Sequence, residues 1–437
     1  MAAVGEHITV TEQLHQDAYG SLDRALRADG RRILVKSWSP LEAERFALRE
    51  QRLYELCRDD NGEADSGETD LAYLRIVAAE GLYRPVALED AEGTGGGAPL
   101  HVSLLPDGTR AVRVYTSGVL PRPHPDVVYE FVTLRGLAAL WPRGVRVLLV
   151  NGGTPCARAF PAGKENRRDW LTLHDELYRP DGTCDRVETR RTGTPEDECL
   201  LRGLACGAHL CYGNGDAWNT IHWHGAGYAN EVERLAGSWG IEDHDSWLET
   251  TEKLLAAELS PWVWEYVLGA RLWLAQETGD RRVDPMVWRD CVEQSIRSQL
   301  AGEVSDEDLD GLAESLRGLV GKIMRYESRF RADALLPPDG YVRTVAAWDL
   351  GRATMVARWG LGARYCSEQE MLSAVERAGK AVQAAYGSWP DFSAGYVLGR
   401  CLHFDEETFG DWYTTVLDAH RALMAAPDSP WNAVPLH

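Results

Sequence analysis

The stretch from Val345 to Arg400 constrains the fold more than any other part of the chain. Its apolar residues recur at helical spacing and are broken by helix start and stop signals, so it predicts three short helices in succession. In the first, Trp348 and Asp349 lie four and three residues before Arg352, which puts a ring, an acid and a guanidinium on one surface where Asp349 can fix Arg352. Gly360 and Gly362 end that run, because glycine takes the left-handed backbone that a helix C-terminus often needs. Ser367 with Glu370 three residues on is a capping box, opening a helix with Met371, Leu372, Val375 and Ala378 at helical period. Ser388-Trp389-Pro390 opens the third, which continues through Phe392, Tyr396, Val397 and Leu398 to Gly399-Arg400. This is a fold signature and not a recognisable active site.

The words WDLGR (Trp348–Arg352), YGSW (Tyr386–Trp389), YVLGR (Tyr396–Arg400) and SPW (Ser429–Trp431) resemble, in order and spacing, the bacterial domain of unknown function 1266 family. LAGSWGIEDHDSW (Leu235–Trp247) resembles that family's opening segment, so the resemblance runs from roughly Cys199 to the end. It implies architecture only, since the family brings no established reaction to transfer.

A chain of 437 residues allows two or three domains. Its net charge of −21 argues against a nucleic-acid backbone or an anionic membrane as main partner, because like charge repels. No apolar run of membrane-spanning length occurs and Met1–Val10 lacks signal-peptide character, so the expected location is the cytoplasm. Nine cysteines without disulfide-framework spacing are read as mostly reduced, buried thiols.

The expected fold class is α+β: a small mixed α/β sheet domain followed by a larger, predominantly α-helical domain. The expected divisions are an N-terminal extension over 1–67, an α/β domain over 68–163, a polar linker over 164–197 and an all-α domain over 198–437. In the extension, Arg32–Lys36 is expected as a strand and Pro40–Cys57 as a charged amphipathic helix. In the α/β domain, Leu100–Leu105 and Arg110–Thr116 flank a turn-forming Pro106–Thr109 and predict a hairpin, Asp126–Leu140 a helix, and Val145–Asn151 a central strand. Leu82–Val86, Ala111–Ser117 and Leu148–Gly153 resemble the N-terminal domain of the SseB family, named for enhanced serine sensitivity, over about Asp70 to Pro161. Gly152 stands where that family typically has proline. The resemblance implies binding and secretion-linked or accessory roles, with no transferable catalytic residue.

Further on, Ser305 opens a helix with acids in its first turn, running to about Phe330. Trp262–Arg271 echoes Trp389–Arg400, with Tyr-Val-Leu-Gly in both, which fits either two related helical halves or chance likeness of amphipathic helices.

Three constellations bear on chemistry. Cys199, Cys206, His209, Cys211, His222 and His224 are zinc-type ligands, but their spacing fits a tetrahedral site poorly and buried thiols are the simpler reading; no metal and no cofactor are expected. Cys206 with His209 is a nominal thiol and base, yet sequence neighbours rarely give the geometry of an activated nucleophile. The third set is Asp349, Arg352, Arg400, Tyr386 and Tyr396, bordered by Trp348, Trp389 and Trp431. In a helical core an Asp–Arg pair and tyrosine hydroxyls hold helices in register; around a cleft the same groups would bind an anionic or ribose-bearing ligand. Trp348, Asp349, Arg352, Tyr386, Trp389, Tyr396 and Arg400 are therefore the ligand-binding candidates, and no catalytic residue is assigned. Two classes of function follow: a non-catalytic, protein-binding accessory or adaptor, secretion- or toxin/immunity-associated, with a protein partner; or an enzyme or small-ligand binder using the Asp/Arg/Tyr set.

Overall fold

A computed structural model describes residues 8–17, 20–27, 32–38, 52–53, 55–57, 66–94, 97–121, 124–178, 187–190, 195, 197–221, 225–280 and 282–437. These divide into two compact units, one within 1–182, 190–194 and 220–233, the other within 183–189, 195–219 and 234–437. The helix expected over Pro40–Cys57 lies largely outside the described residues; 52–53 and 55–57 within it are helical.

Among the described residues the first unit holds three sheets. Strands β1 (Ile8–Asp17), β2 (Gly20–Arg27) and β3 (Arg32–Trp38) pair antiparallel in that order, so the strand expected at Arg32–Lys36 is present. After α1 (Ser66–Glu80) come β4 (Leu82–Ala87), α2 (Leu88–Thr94), β5 (Val102–Leu104), β6 (Arg110–Val114), β7 (Val127–Val132), α3 (Leu134–Leu140), β8 (Val147–Val150), β9 (Arg158–Pro161) and α4 (Lys164–Leu177). β5 and β6 form the expected hairpin, and β8 is an inner strand of the order β5-β6-β8-β9, parallel to β6 and antiparallel to β9.

Two expectations are corrected here. Asp126–Leu140 is not one helix: Val127–Val132 is strand β7, paired antiparallel with β4, and Thr133 caps the short α3 through its hydroxyl. The run Val-Val-Tyr-Glu-Phe-Val is β-branched and aromatic, and an available edge strand decides its state. Nor is Lys164–Leu177 a solvated connector, because α4 buries Trp170 and Leu173 against Tyr73, Leu137 and Phe160.

The second unit is helical. Its elements are α5 (Glu198–Cys206), α6 (Ala208–Asn214), the end of α7 (Tyr228–Trp239), α8 (His244–Leu255), α9 (Trp262–Thr278), α10 (Pro285–Gln299), α11 (Asp306–Ala332), α12 (Ala346–Gly362), α13 (Glu368–Ala385), α14 (Trp389–Phe404), α15 (Asp411–Ala425) and α16 (Pro430–Ala433). The expected caps operate: Ser305, Ser367 and Ser388 each accept a backbone N–H at the start of α11, α13 and α14, and Ser367 with Glu370 completes its capping box.

Helix α12 is the axis of this unit. Every residue from Ala347 to Gly360 is buried, and α5, α6, α8, α13 and α14 pack around it. A helix enclosed on all sides needs close crossings, and glycine provides them. A Cβ at Gly360 would fall 2.1 Å from Trp247 Nε1, and one at Gly399 would fall 2.5 Å from Trp348 Cβ. Gly360 thus admits a neighbour and does not stop the helix. The stop lies beyond it, where Arg364 takes φ 65° and the Tyr365 N–H donates to Gly360 O at 2.8 Å.

The same device joins α5 to α13. A Cβ at Gly203 would stand 2.1 Å from the carbonyl oxygen of Val375, and one at Gly379 would meet the Gly203 backbone at 2.8 Å. Gly203→Ala should therefore lower stability by about 1–3 kcal/mol through overpacking, although helix propensity alone would raise it by about 1 kcal/mol. Urea unfolding at constant m-value reads the sign directly.

Candidate functional site

Asp349 lies one turn into α12, 1% exposed, and its carboxylate is filled from within the chain. Oδ2 accepts the backbone N–H of Leu259 (3.1 Å) and of Ser260 (3.0 Å), while Oδ1 accepts the Ser260 hydroxyl (2.6 Å) and the Arg352 guanidinium. Arg352 also donates from Nε to Trp348 O at 3.0 Å, and its guanidinium stacks 4.3 Å from the Trp348 ring. Burial pulls the Arg352 pKa down and the Asp349 charge opposes the shift.

The two backbone donors belong to the residues just ahead of α9, and α9 returns the arrangement. Glu265, in its first turn, accepts the Val345 N–H at 2.7 Å and the Thr344 hydroxyl at 2.8 Å, just ahead of α12. Each helix start is thus served by a carboxylate from the other, where N–H groups are unpaired and negative charge is favoured. Desolvation raises the Glu265 pKa. A third tie is Arg271 of α9, which pairs through two hydrogen bonds (2.9 and 2.8 Å) with Glu327 of α11, donates to Val342 O, and lies between the rings of Trp288 and Tyr341.

The remaining candidates fall in the core around α14. Tyr386 donates to Thr344 O (3.0 Å) and accepts from the Ala347 N–H (2.8 Å), and Trp389 donates to Val434 O (2.8 Å) and stacks on Trp431. Tyr396 stacks at 4.2 Å on His209 and meets Trp348 edge-on at 5.0 Å; burial pushes its phenol up to about 12. Arg400 sets its guanidinium over Phe404 and Trp412, with its Nε buried, and its charge acts on Tyr396. Asp349, Arg352 and Trp348 therefore meet in one knot, Tyr396 borders it, and Tyr386, Trp389 and Arg400 serve separate contacts.

Three histidine and serine side chains that residue spacing does not connect form a buried chain nearby. Ser393 Oγ lies 2.9 Å from His209 Nε2 and 2.8 Å from His420 Nδ1. Burial holds His209 well below its ordinary pKa and His420 down to about 4, so both rings are neutral at pH 7 and the serine bridges them. The partner of His209 Nε2 is thus a serine and not Cys206. Cys206 Sγ donates to Arg202 O at 3.2 Å, Cys211 meets Met355 and Arg358, and burial raises both thiols, Cys211 to about 11. Low thiolate character is the opposite of an activated nucleophile. His222 and His224 lie outside the described residues, and among the described residues no group of three or more metal-type ligands is assembled.

The surface feature that the sequence reading did not single out lies on the outer side of α9. Trp262 is 58% exposed and Trp273 53%, while Trp264, Val267, Leu268 and Leu274 of the same helix are buried. With α10 this side forms a groove of about 880 Å³. Tyr266, Trp273, Leu274 and Val287 are among its bulky lining residues, and Gly269, Ala270 and Ser295 among its small ones. Trp262 packs edge-on against Tyr266, and Met286 adds a further exposed apolar side chain at the start of α10. The available signal was the recurrence of Trp262, Tyr266, Gly269 and Trp273 every three or four residues beside a second apolar stripe. One core-facing side cannot cover both.

Two outcomes follow for the core. Arg352→Ala leaves a buried carboxylate without its cation and should cost about 3–5 kcal/mol, read from the denaturant midpoint; an unchanged midpoint would rule out the register role. For His420, the unfolded ring takes its proton near 6.5 and the folded ring only near 4, so the unfolded state binds more protons between those values. Its contribution is present above pH 6.5 and lost as pH falls, by about 3 kcal/mol in total at 1.4 kcal/mol per pH unit. Asp216 acts in the other sense, since burial pushes its carboxyl up to about 6. Stability of wild type minus His420→Gln, measured from pH 7 to 4, isolates the histidine and should fall with pH.

Among the described residues no helix is long and apolar enough to cross a membrane. No curated protein and no solved structure matches the chain. Residues 234–436, from the end of α7 through α16, match the family model described as a protein of unknown function, DUF1266, which places the family's start later than the Cys199 expected from sequence.

Proposed function

We propose that this is a non-catalytic, protein-binding accessory or adaptor protein, and that the groove of α9 and α10 is its docking face. The observation that carries the reading is the pair of half-exposed tryptophans, Trp262 and Trp273, on a helix anchored at its start and middle by buried charges. Exposed tryptophan on a rigid support is the residue type that dominates binding energy at protein interfaces. This reading includes the bacterial, cytoplasmic, secretion- or toxin/immunity-associated setting expected from the sequence.

The second reading, an enzyme or small-ligand binder at the Asp/Arg/Tyr set, draws on Trp348 Nε1 and Arg400 Nε, buried donors without a hydrogen-bond partner among the described residues. Against it stands Asp349, whose oxygens already receive four donors from within the chain.

Affinity purification of the full chain with quantitative mass spectrometry separates the readings. A Trp262→Ser/Trp273→Ser double variant should keep the wild-type melting temperature and lose a near-stoichiometric protein partner by about tenfold or more, as expected when hot-spot side chains are removed. An unchanged set of co-purifying proteins would refute the docking face.

A further inference from the structure

We infer that the occupant of the α9–α10 groove is an amphipathic helix whose flanks carry lysine or arginine. The inference rests on the docking reading and adds the partner's shape and charge. The lining residues of α9 run from Glu265 to Leu274 and those of α10 from Val287 to Ser295, spaced at helical period on both helices. Two such stripes on consecutive, contacting helices leave a linear channel, about 14 Å long at 1.5 Å per residue. A third helix contributing about 9–10 residues fills such a channel by setting its own ridge of side chains between the two rows. Gly269 makes room for that ridge: it is exposed, and a Cβ added there would meet nothing within 4 Å.

Charge selects among helices. Glu265 and Asp290 line the groove, and no lysine or arginine does. Asp290 and Glu293 share Arg317 at 2.8 Å each, and Arg297, 3.0 Å from Glu293, also meets Asp310, so two cations serve three carboxylates there. A second copy of this chain would bring the same acids and another −21 of charge to the interface, whereas a basic-flanked helix meets complementary charge.

The test uses the full chain and two synthetic helical peptides with the same Leu/Ile face, one with Lys and one with Glu on its flanks, titrated by fluorescence anisotropy. The Lys peptide should bind at least about tenfold more tightly than the Glu peptide, with the gap narrowing at high salt. Gly269→Phe fills the channel without touching the core and should abolish binding at an unchanged melting temperature; Asp290→Asn should weaken the Lys peptide several-fold. Equal affinity of the two peptides overturns the charge assignment and leaves the docking face standing. No binding by either, while the tryptophan double variant still loses its partner, overturns the helical occupant alone. No binding together with an unaltered partner set overturns both. A wild-type dimer that Gly269→Phe dissociates would assign the groove to a second copy.

Discussion

The reciprocal exchange of carboxylates between α9 and α12 is the interaction on which the rest of the helical unit depends. α12 has no face in water, so each charge on it must be matched inside the protein. Asp349 solves this by spending its oxygens on the segment ahead of α9, and Glu265 answers on the segment ahead of α12. Hydrophobic contact alone would let two helices slide; a carboxylate aimed at particular backbone N–H groups does not. The pairs are better understood as fixing register than as adding net stability, since buried ion pairs roughly balance their own desolvation.

That register reaches the surface. With α9 held at its start by Asp349 and at its middle by Arg271 and Glu327, the angular position of its outer side chains is settled by the core. Trp262 and Trp273 are presented by a helix that cannot rotate to hide them. Their exposure is therefore maintained against the hydrophobic effect, which would otherwise favour turning large rings inward. A chain that holds apolar rings outward gains from a surface that covers them.

Legibility in the sequence followed the range of the interactions. Capping chemistry acts within three or four residues, and Ser367 with Glu370, Ser388 ahead of Pro390, and the Asp349–Arg352 pair are all formed as read. The partner of Asp349 was not readable, because Ser260 lies 89 residues away and nothing local marks it. The Ser393 bridge between His209 and His420 is hidden for the same reason. Gly360 was read for its backbone freedom when its lack of a side chain was what mattered, a distinction that only the position of Trp247 reveals. Asp126–Leu140 failed differently: the run is compatible with both periods, and the neighbouring strand β4 chose.

The two functional readings can be weighed by what each asks of the polar groups. A site that acts on a small ligand needs donors and acceptors left open toward it, whereas a register device needs them closed on each other. Asp349, Tyr386 and Trp389 are closed. Burial disfavours the thiolates of Cys206 and Cys211 and the charged forms of His209 and His420, so these groups are neither activated thiolates nor imidazolium acids at pH 7. The α9–α10 groove is open, external and largely apolar, on a helix tied to the core by Asp349 and by the Arg271–Glu327 pair. On the proposed docking reading, the buried charges set the helix and the helix presents the surface.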